Sequence, residues 1–217
     1  MIAQSYRGHA PAAKGIRRGH QVILSPDRWC YYNYYQEDPE TEPKAQPLLL
    51  TLKKAYSYFP VVDSLPELSA KYIIGVEGCV WGEYIPDSRT AEYWAFPRTS
   101  ALSEVGWTKR QNKDWQSFRV RMEKELKRLG MSGVNCSEAY WNVIFDYDSV
   151  NLPRPERADL MLDYPGAAIR YTTDGSEPDM DSRIFLSAFT PEKGTTVRTQ
   201  GFTHDGKKVG KEVEKKF

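Results

Sequence analysis

The sequence predicts an α/β region followed by an all-β domain, with the change of character near residue 150. A strand–helix–strand pattern covers residues 2–25, and an apolar run at 72–83 is followed by a helical stretch at 91–105. Beyond residue 150, short strand-like runs alternate with turn residues. Alternating strands and helices are typical of a parallel sheet, whereas closely spaced strands with tight turns are typical of an antiparallel β domain.

The first part of the chain supplies one strand–helix–strand unit and a second helix. Strands are predicted over residues 2–6 and 21–25, joined by a helix over residues 10–18. A polar, proline-punctuated loop follows at 37–47, and the apolar residues of 48–59 recur at helical spacing. We expect this second helix to pack against the sheet.

The apolar run at 72–83 is the central strand of the prediction. Its composition suits a strand buried on both faces, as in parallel sheets covered by helices. Strand alternation places Glu77, Cys79, Trp81 and Glu83 on one side, which we expect to face a cavity. The helix predicted at 91–105 follows after a short loop, and strand-to-helix connections carry the active sites of barrel enzymes.

The remaining elements are predicted to be structural. A helix at about 114–129 carries an apolar stripe with basic residues elsewhere, which indicates an amphipathic surface helix. A linker is predicted at 151–155, and turn signals then separate five strands of a small β-sandwich, at residues 159–163, 168–173, 183–186, 195–202 and 207–213.

Composition argues against several classes of partner. The net charge is +1 with no long block of one sign, so neither nucleic acid nor a membrane is expected as a partner. The three cysteines are far apart without CxxC spacing, and His9, His20 and His204 have no second ligand at a matching distance, so we expect structural thiols and no metal. The first residues lack the features of a signal peptide, and the sequence leaves open whether Met1 is a natural start.

Several motifs of this sequence are similar to those of a known family. Val80-Trp81-Gly82-Glu83, with residues 91–98 and 101–107, resembles the last strand and helix of the glycoside hydrolases of family 20, which are β-N-acetylhexosaminidases, and residues 4–26 are similar to the sixth and seventh strands of that family. Residues 171–178 resemble the C-terminal domain of bacterial members. The resemblance implies that residues 1–149 are the last three strand/helix units of a (β/α)8 barrel and that residues 150–217 are an immunoglobulin- or fibronectin-like sandwich.

The resemblance also assigns roles to single residues. Tyr31 would donate its hydroxyl to the acetamido carbonyl of the substrate, which acts as the nucleophile in this family. Trp81 would stack on the terminal sugar, and Glu83 would accept hydrogen bonds from the hydroxyls at carbons four and six. Asn33 stands where the family has an aspartate and would assist Glu83 as a neutral amide. No cofactor or metal is implied.

The family's catalytic acid belongs to an Asp-Glu pair on the fourth strand, and the sequence contains no Asp-Glu dipeptide. We therefore expect the chain alone to be inactive. For Glu77, an ion pair with an arginine is the favoured interpretation, and a replacement catalytic acid is the alternative. Two other functions stay open, namely a non-catalytic N-acetylglucosamine-binding module and a non-functional remnant.

The expected ligand is a glycan that ends in an N-acetylhexosamine. Three strands of an eight-stranded barrel expose apolar edges, so a separate N-terminal barrel half or a second copy of the chain are further partners to consider. The location of this chain is open, whereas family members are often periplasmic or secreted.

Overall fold

The computed structural model describes residues 1–60, 67–145 and 157–217, so the predicted linker at 151–155 and the predicted domain boundary between 149 and 150 lie outside the described residues. The chain forms two compact units. The first comprises Met1–Tyr34 and Leu50–Ser137, and the second comprises Tyr35–Leu49 and Glu138–Phe217.

A three-stranded parallel sheet organises the first unit, with β1 (Ile2–Ser5), β2 (Gln21–Leu24) and β5 (Ile73–Val76) side by side in that order. One face of the helix α1 (His9–Arg17) contributes Ala12, Ala13 and Ile16 to the buried core. The other strands and α-helices described before residue 138 are α2 (Asp27–Cys30), β3 (Tyr34–Tyr35), β4 (Gln46–Leu49), α3 (Leu52–Ser57), α4 (Ser88–Ala95), α5 (Arg98–Trp107) and α6 (Trp115–Met131).

The strand predicted over residues 72–83 is shorter than expected. β5 ends at Val76, and beyond it the chain makes an isolated bridge at Cys79 and a 3-10 turn at Gly82–Tyr84. The ladder with β2 stops because β2 itself ends at Leu24, where the chain turns into α2. Burial on both faces was also wrong, since Ile74 is 44% exposed and Val80 is 39% exposed.

The helix predicted over residues 48–59 is confirmed only in its middle, at Leu52–Ser57. Residues 48 and 49 belong to β4, which pairs with β3 in a two-stranded sheet. α3 begins at Leu52 because the Thr51 hydroxyl accepts a hydrogen bond from the Lys54 amide, at 3.1 Å, and caps the helix. The Tyr56 ring of α3 then stacks on Phe118 of α6, with 4.5 Å between ring centroids.

The single helix predicted over residues 91–105 is two helices, α4 and α5. Pro97 separates them, because proline has no amide hydrogen and its ring collides with the preceding turn of a continuous helix. The break places Arg98 at the first position of α5. The amphipathic helix at 114–129 is confirmed as α6, whose buried face carries Phe118, Met122 and Leu129.

The second unit is mainly antiparallel β-structure, and all five strands predicted after residue 150 are present. The strands are β6 (Ile144–Phe145), β7 (Leu160–Met161), β8 (Ala167–Thr172), β9 (Arg183–Ile184), β10 (Thr196–Thr203) and β11 (Lys208–Lys216). One sheet has four strands in the order β11-β10-β8-β9, and β6 and β7 form a second sheet. Both sheets contribute side chains to one buried cluster that includes Phe145, Leu160, Ile169 and Val197.

Candidate functional site

Two loop segments of the first unit run side by side beyond the ends of β2 and β5. After β2, the short helix α2 returns the chain to Tyr31, which forms a parallel bridge with Cys79. The Tyr32 amide donates to the Cys79 carbonyl at 2.8 Å, and the Cys79 amide donates to the Cys30 carbonyl at 2.7 Å. These bonds fix the register in which residues 31–33 face residues 79–83.

The aromatic pair predicted for the site is brought together. The Tyr31 and Trp81 rings meet edge to face, with 5.5 Å between centroids and 62° between planes, which is a favoured geometry for aromatic pairs. Trp81 is 46% exposed, so its ring offers a free apolar surface to solvent. Tyr31 is half-buried, and burial is the main cause that raises the pKa of its phenol above the ordinary value.

The polar pair is also brought together, two residues further along each segment. The Asn33 amide nitrogen donates to a carboxylate oxygen of Glu83, with 3.4 Å between Nδ2 and Oε2. Asn33 is buried while Glu83 is exposed. The side-chain oxygen of Asn33 is buried and has no hydrogen-bond partner among the described residues.

The expected ion pair between Glu77 and an arginine is not what the structure shows. The Glu77 carboxylate is exposed and accepts a hydrogen bond from the Gln4 side-chain amide at 2.9 Å. Gln4 also donates to the Ser25 hydroxyl at 3.0 Å. An arginine is unnecessary here because solvent and a neutral amide already stabilise the carboxylate.

The sequence motifs indicated no role for Tyr32, Gly78 or Arg98. In the structure these three residues hold the segments that contain Tyr31 and Cys79 close together. The Arg98 guanidinium is fully buried and lies over the Tyr32 ring, 5.1 Å from its centroid. A Cβ at Gly78 would lie 2.5 Å from the nearest atom of the Tyr32 ring, so only glycine lets the two segments approach this closely.

The three cysteines are free, and Cys30 and Cys79 are buried, as expected for structural thiols. Burial raises the pKa of the Cys30 thiol. Within residues 1–60, 67–145 and 157–217, no group of three or more histidine, cysteine or acidic side chains could hold a metal ion. No helix in that same part of the chain combines the length and apolar character needed to cross a membrane.

Two family models match the chain. The catalytic domain of glycosyl hydrolase family 20 matches residues 1–110, and the chitobiase/beta-hexosaminidase C-terminal domain matches residues 153–211. The second match begins close to the residue where the sequence pattern changes.

Curated relatives are similar to more than half of the chain. The beta-hexosaminidase of Porphyromonas gingivalis is 33% identical over 132 residues, which are 60% of this chain and 17% of the relative. The beta-N-acetylhexosaminidase of Cellulomonas fimi is 31% identical over 114 residues, which are 52% of this chain and 23% of the relative. The chain therefore spans about a fifth of the length of the relatives that it matches.

A solved structure is also similar to this chain. The family-20 exo-beta-N-acetylglucosaminidase of Vibrio harveyi, in complex with N-acetylglucosamine, is 29% identical and superimposes with a TM-score of 0.59 over 65% of this chain and 22% of that chain. Together with the two family models, this similarity shows that the chain belongs to glycoside hydrolase family 20 and carries a chitobiase/β-hexosaminidase C-terminal domain.

Proposed function

We propose that this chain forms the later half of the sugar site of a β-N-acetylhexosaminidase, which removes terminal N-acetyl-β-hexosamine residues with retention of configuration. The observation that carries the proposal is the meeting of two pairs, Tyr31 with Trp81 and Asn33 with Glu83, on neighbouring segments of one unit. Each pair joins residues that the resemblance had assigned to the same sugar. The earlier half of a (β/α)8 barrel would complete the site.

The acetamido group of the substrate is the nucleophile in the proposed reaction. Its carbonyl oxygen bonds to the anomeric carbon while the bond from that carbon to the leaving oxygen breaks, and an acid protonates the leaving oxygen. The product is an oxazolinium ion, which water opens. Tyr31 would donate its hydroxyl to the acetamido oxygen. A phenol is protonated at neutral pH even at its ordinary pKa of about 10, and burial raises the pKa of Tyr31 further.

The other residues would hold the sugar in place. The exposed face of Trp81 would stack on the apolar face of the ring. Glu83 would accept hydrogen bonds from the hydroxyls at carbons four and six, and Asn33, which donates to Glu83, would assist it as a neutral amide. Binding of this kind orients the acetamido oxygen for in-line attack.

The chain contains no Asp-Glu dipeptide, and Glu77 is hydrogen-bonded to Gln4, so we propose that the chain alone does not supply the acid. A non-catalytic N-acetylglucosamine-binding module is the second candidate, and the exposed Trp81 beside Glu83 favours it. A non-functional remnant is the alternative if neither binding nor turnover is found.

Release of nitrophenol from 4-nitrophenyl N-acetyl-β-glucosaminide tests the proposal. The purified chain, Glu83→Ala and Glu77→Gln are assayed side by side, alone and with an added N-terminal barrel half. We expect no turnover from the chain alone and turnover after complementation, lost in Glu83→Ala and kept in Glu77→Gln. Turnover by the chain alone that Glu77→Gln abolishes would show that Glu77 is the acid and that this account is wrong.

A further inference from the structure

Arg98 is a fully buried arginine whose interactions lead directly to the candidate site. Moving a guanidinium out of water is costly unless its donors are satisfied. Its Nη1 donates to the Tyr34 carbonyl at 3.0 Å and to the Leu50 carbonyl at 3.2 Å, and its Nη2 and Nε donate to the Trp94 carbonyl at 2.6 and 3.2 Å. Nη2 also donates to the Tyr32 carbonyl.

These bonds connect one side chain to the backbone on both sides of Asn33. Residues 32 and 33 form a turn, and the carbonyls of Tyr32 and Tyr34 point at Arg98. Buried carbonyls without donors cost free energy, so the planar fork of an arginine stabilises this turn in one conformation. The Tyr32 hydroxyl donates back to the Arg98 carbonyl at 3.2 Å.

As a consequence, the side chains of residues 31–33 lie on two different sides of the turn. Tyr32 is held against Arg98, and its neighbours Tyr31 and Asn33 face Trp81 and Glu83. A change in the conformation of the turn would move both of these neighbours at once. The side chains of Tyr31 and Asn33 take no part in the hydrogen bonds of the Arg98 guanidinium described above.

We propose that Arg98 is a positioning residue, which holds Tyr31 and Asn33 in contact with the segment that carries Trp81 and Glu83. The expected effect on sugar binding rests on the proposed function. Arg98 acts through the Tyr32 and Tyr34 carbonyls and does not contact the sugar. Lysine should not replace it, because its ammonium group has three donors on one nitrogen, whereas the guanidinium spreads five hydrogen bonds over four carbonyls.

The test compares Arg98→Lys with Met122→Ala, which removes buried packing in α6 away from the site. Hydrogen exchange at the Tyr32 and Cys79 amides reports the register of the two segments, and titration with N-acetylglucosamine reports the site. For Arg98→Lys we expect about tenfold faster exchange at these two amides, with little change in segments that Arg98 does not bond, and about tenfold weaker binding than in Met122→Ala.

Tyr32→Phe is the milder variant, since it removes only the hydroxyl that donates to the backbone carbonyl of Arg98. The Tyr32 and Cys79 amides should then exchange faster than in the wild type, but by a smaller factor than in Arg98→Lys. The proposal is overturned if Arg98→Lys speeds exchange uniformly, as Met122→Ala does, or leaves the two amides unchanged. If the wild-type chain binds no sugar, the proposed function fails while the exchange comparison still decides the role of Arg98.

Discussion

Four side chains form the candidate site, and their chemistry differs from the family pattern at one of them. Asn33 donates to Glu83, whereas an aspartate there would place a second carboxylate beside the first. The amide therefore removes a repulsion and leaves one negative charge to accept hydroxyl groups. Sugar binding at this site should depend little on pH between about 6 and 8, because burial raises the pKa of the Tyr31 phenol above an ordinary value of about 10.

Asn33→Asp tests this difference. Two carboxylates at the distance now spanned by the Asn33–Glu83 hydrogen bond repel each other, so the pKa of one of them should rise above the ordinary value of about 4. Titration of the side-chain carboxyl carbons by NMR measures the shift, with the wild-type Glu83 signal as the control. Two carboxyls that both titrate at ordinary values would show that the side chains are further apart than described.

At the level of single elements, Glu104 of α5 joins three helices through one carboxylate. It accepts from the Tyr56 hydroxyl of α3 at 2.9 Å and from the two terminal nitrogens of Arg121 of α6 at 2.5 and 2.9 Å. The hydrogen bonds from Arg121 are the main cause that lowers the pKa of Glu104. A lowered pKa means that the stabilisation is present above the pKa of the unfolded chain and is lost as the pH falls through the folded value.

Glu104→Gln should lower the free energy of unfolding by about 1 kcal/mol at pH 7, after allowance for the half-exposed Arg121, and by much less at pH 3. Urea unfolding at the two pH values measures both differences. Glu125→Gln is the matched control, because the Glu125–Arg128 pair lies on the surface of one helix and should contribute little. Equal losses at pH 7 and pH 3 would contradict the charge-based explanation.

The sequence predicted the type of most elements but not where they end. Alternation along 72–83 placed Trp81 and Glu83 on one side, and they do face Tyr31 and Asn33, although β5 ends at Val76. The end of β5 depends on where its partner β2 ends. This pairing is a tertiary contact, which the local periodicity of residues 72–83 does not indicate. Pro97 and Thr51, by contrast, were local signals that could have placed the starts of α5 and α3.

At the scale of the whole molecule, the first unit has an exposed apolar groove along β5. The groove has a volume of about 540 Å³ and is lined by Ile74, Val76, Leu102 and Trp107 among others. β5 is an edge of its sheet, and Trp107 is 92% exposed. Exposed apolar edges of this kind favour association with another strand or another chain.

Ile74→Lys should reduce self-association of the chain, because it places a charge on the apolar edge of β5. Sedimentation velocity over a range of concentrations measures the effect, which we expect as a shift of most material toward the monomer. Val120→Lys is the matched control, since Val120 is similarly exposed but lies on α6. A wild-type chain that is already monomeric at high concentration would show that the edge is not a site of association.

The most direct test of the central claim is an NMR titration of the chain with N-acetylglucosamine, with Trp81→Ala and Trp107→Ala beside the wild type. Both tryptophans are exposed, but only Trp81 contacts Tyr31 in the candidate site. The account predicts saturable binding that is about tenfold weaker in Trp81→Ala, equivalent to about 1.4 kcal/mol, and unchanged in Trp107→Ala. Absence of binding by the wild-type chain, or equal losses in the two variants, would contradict it.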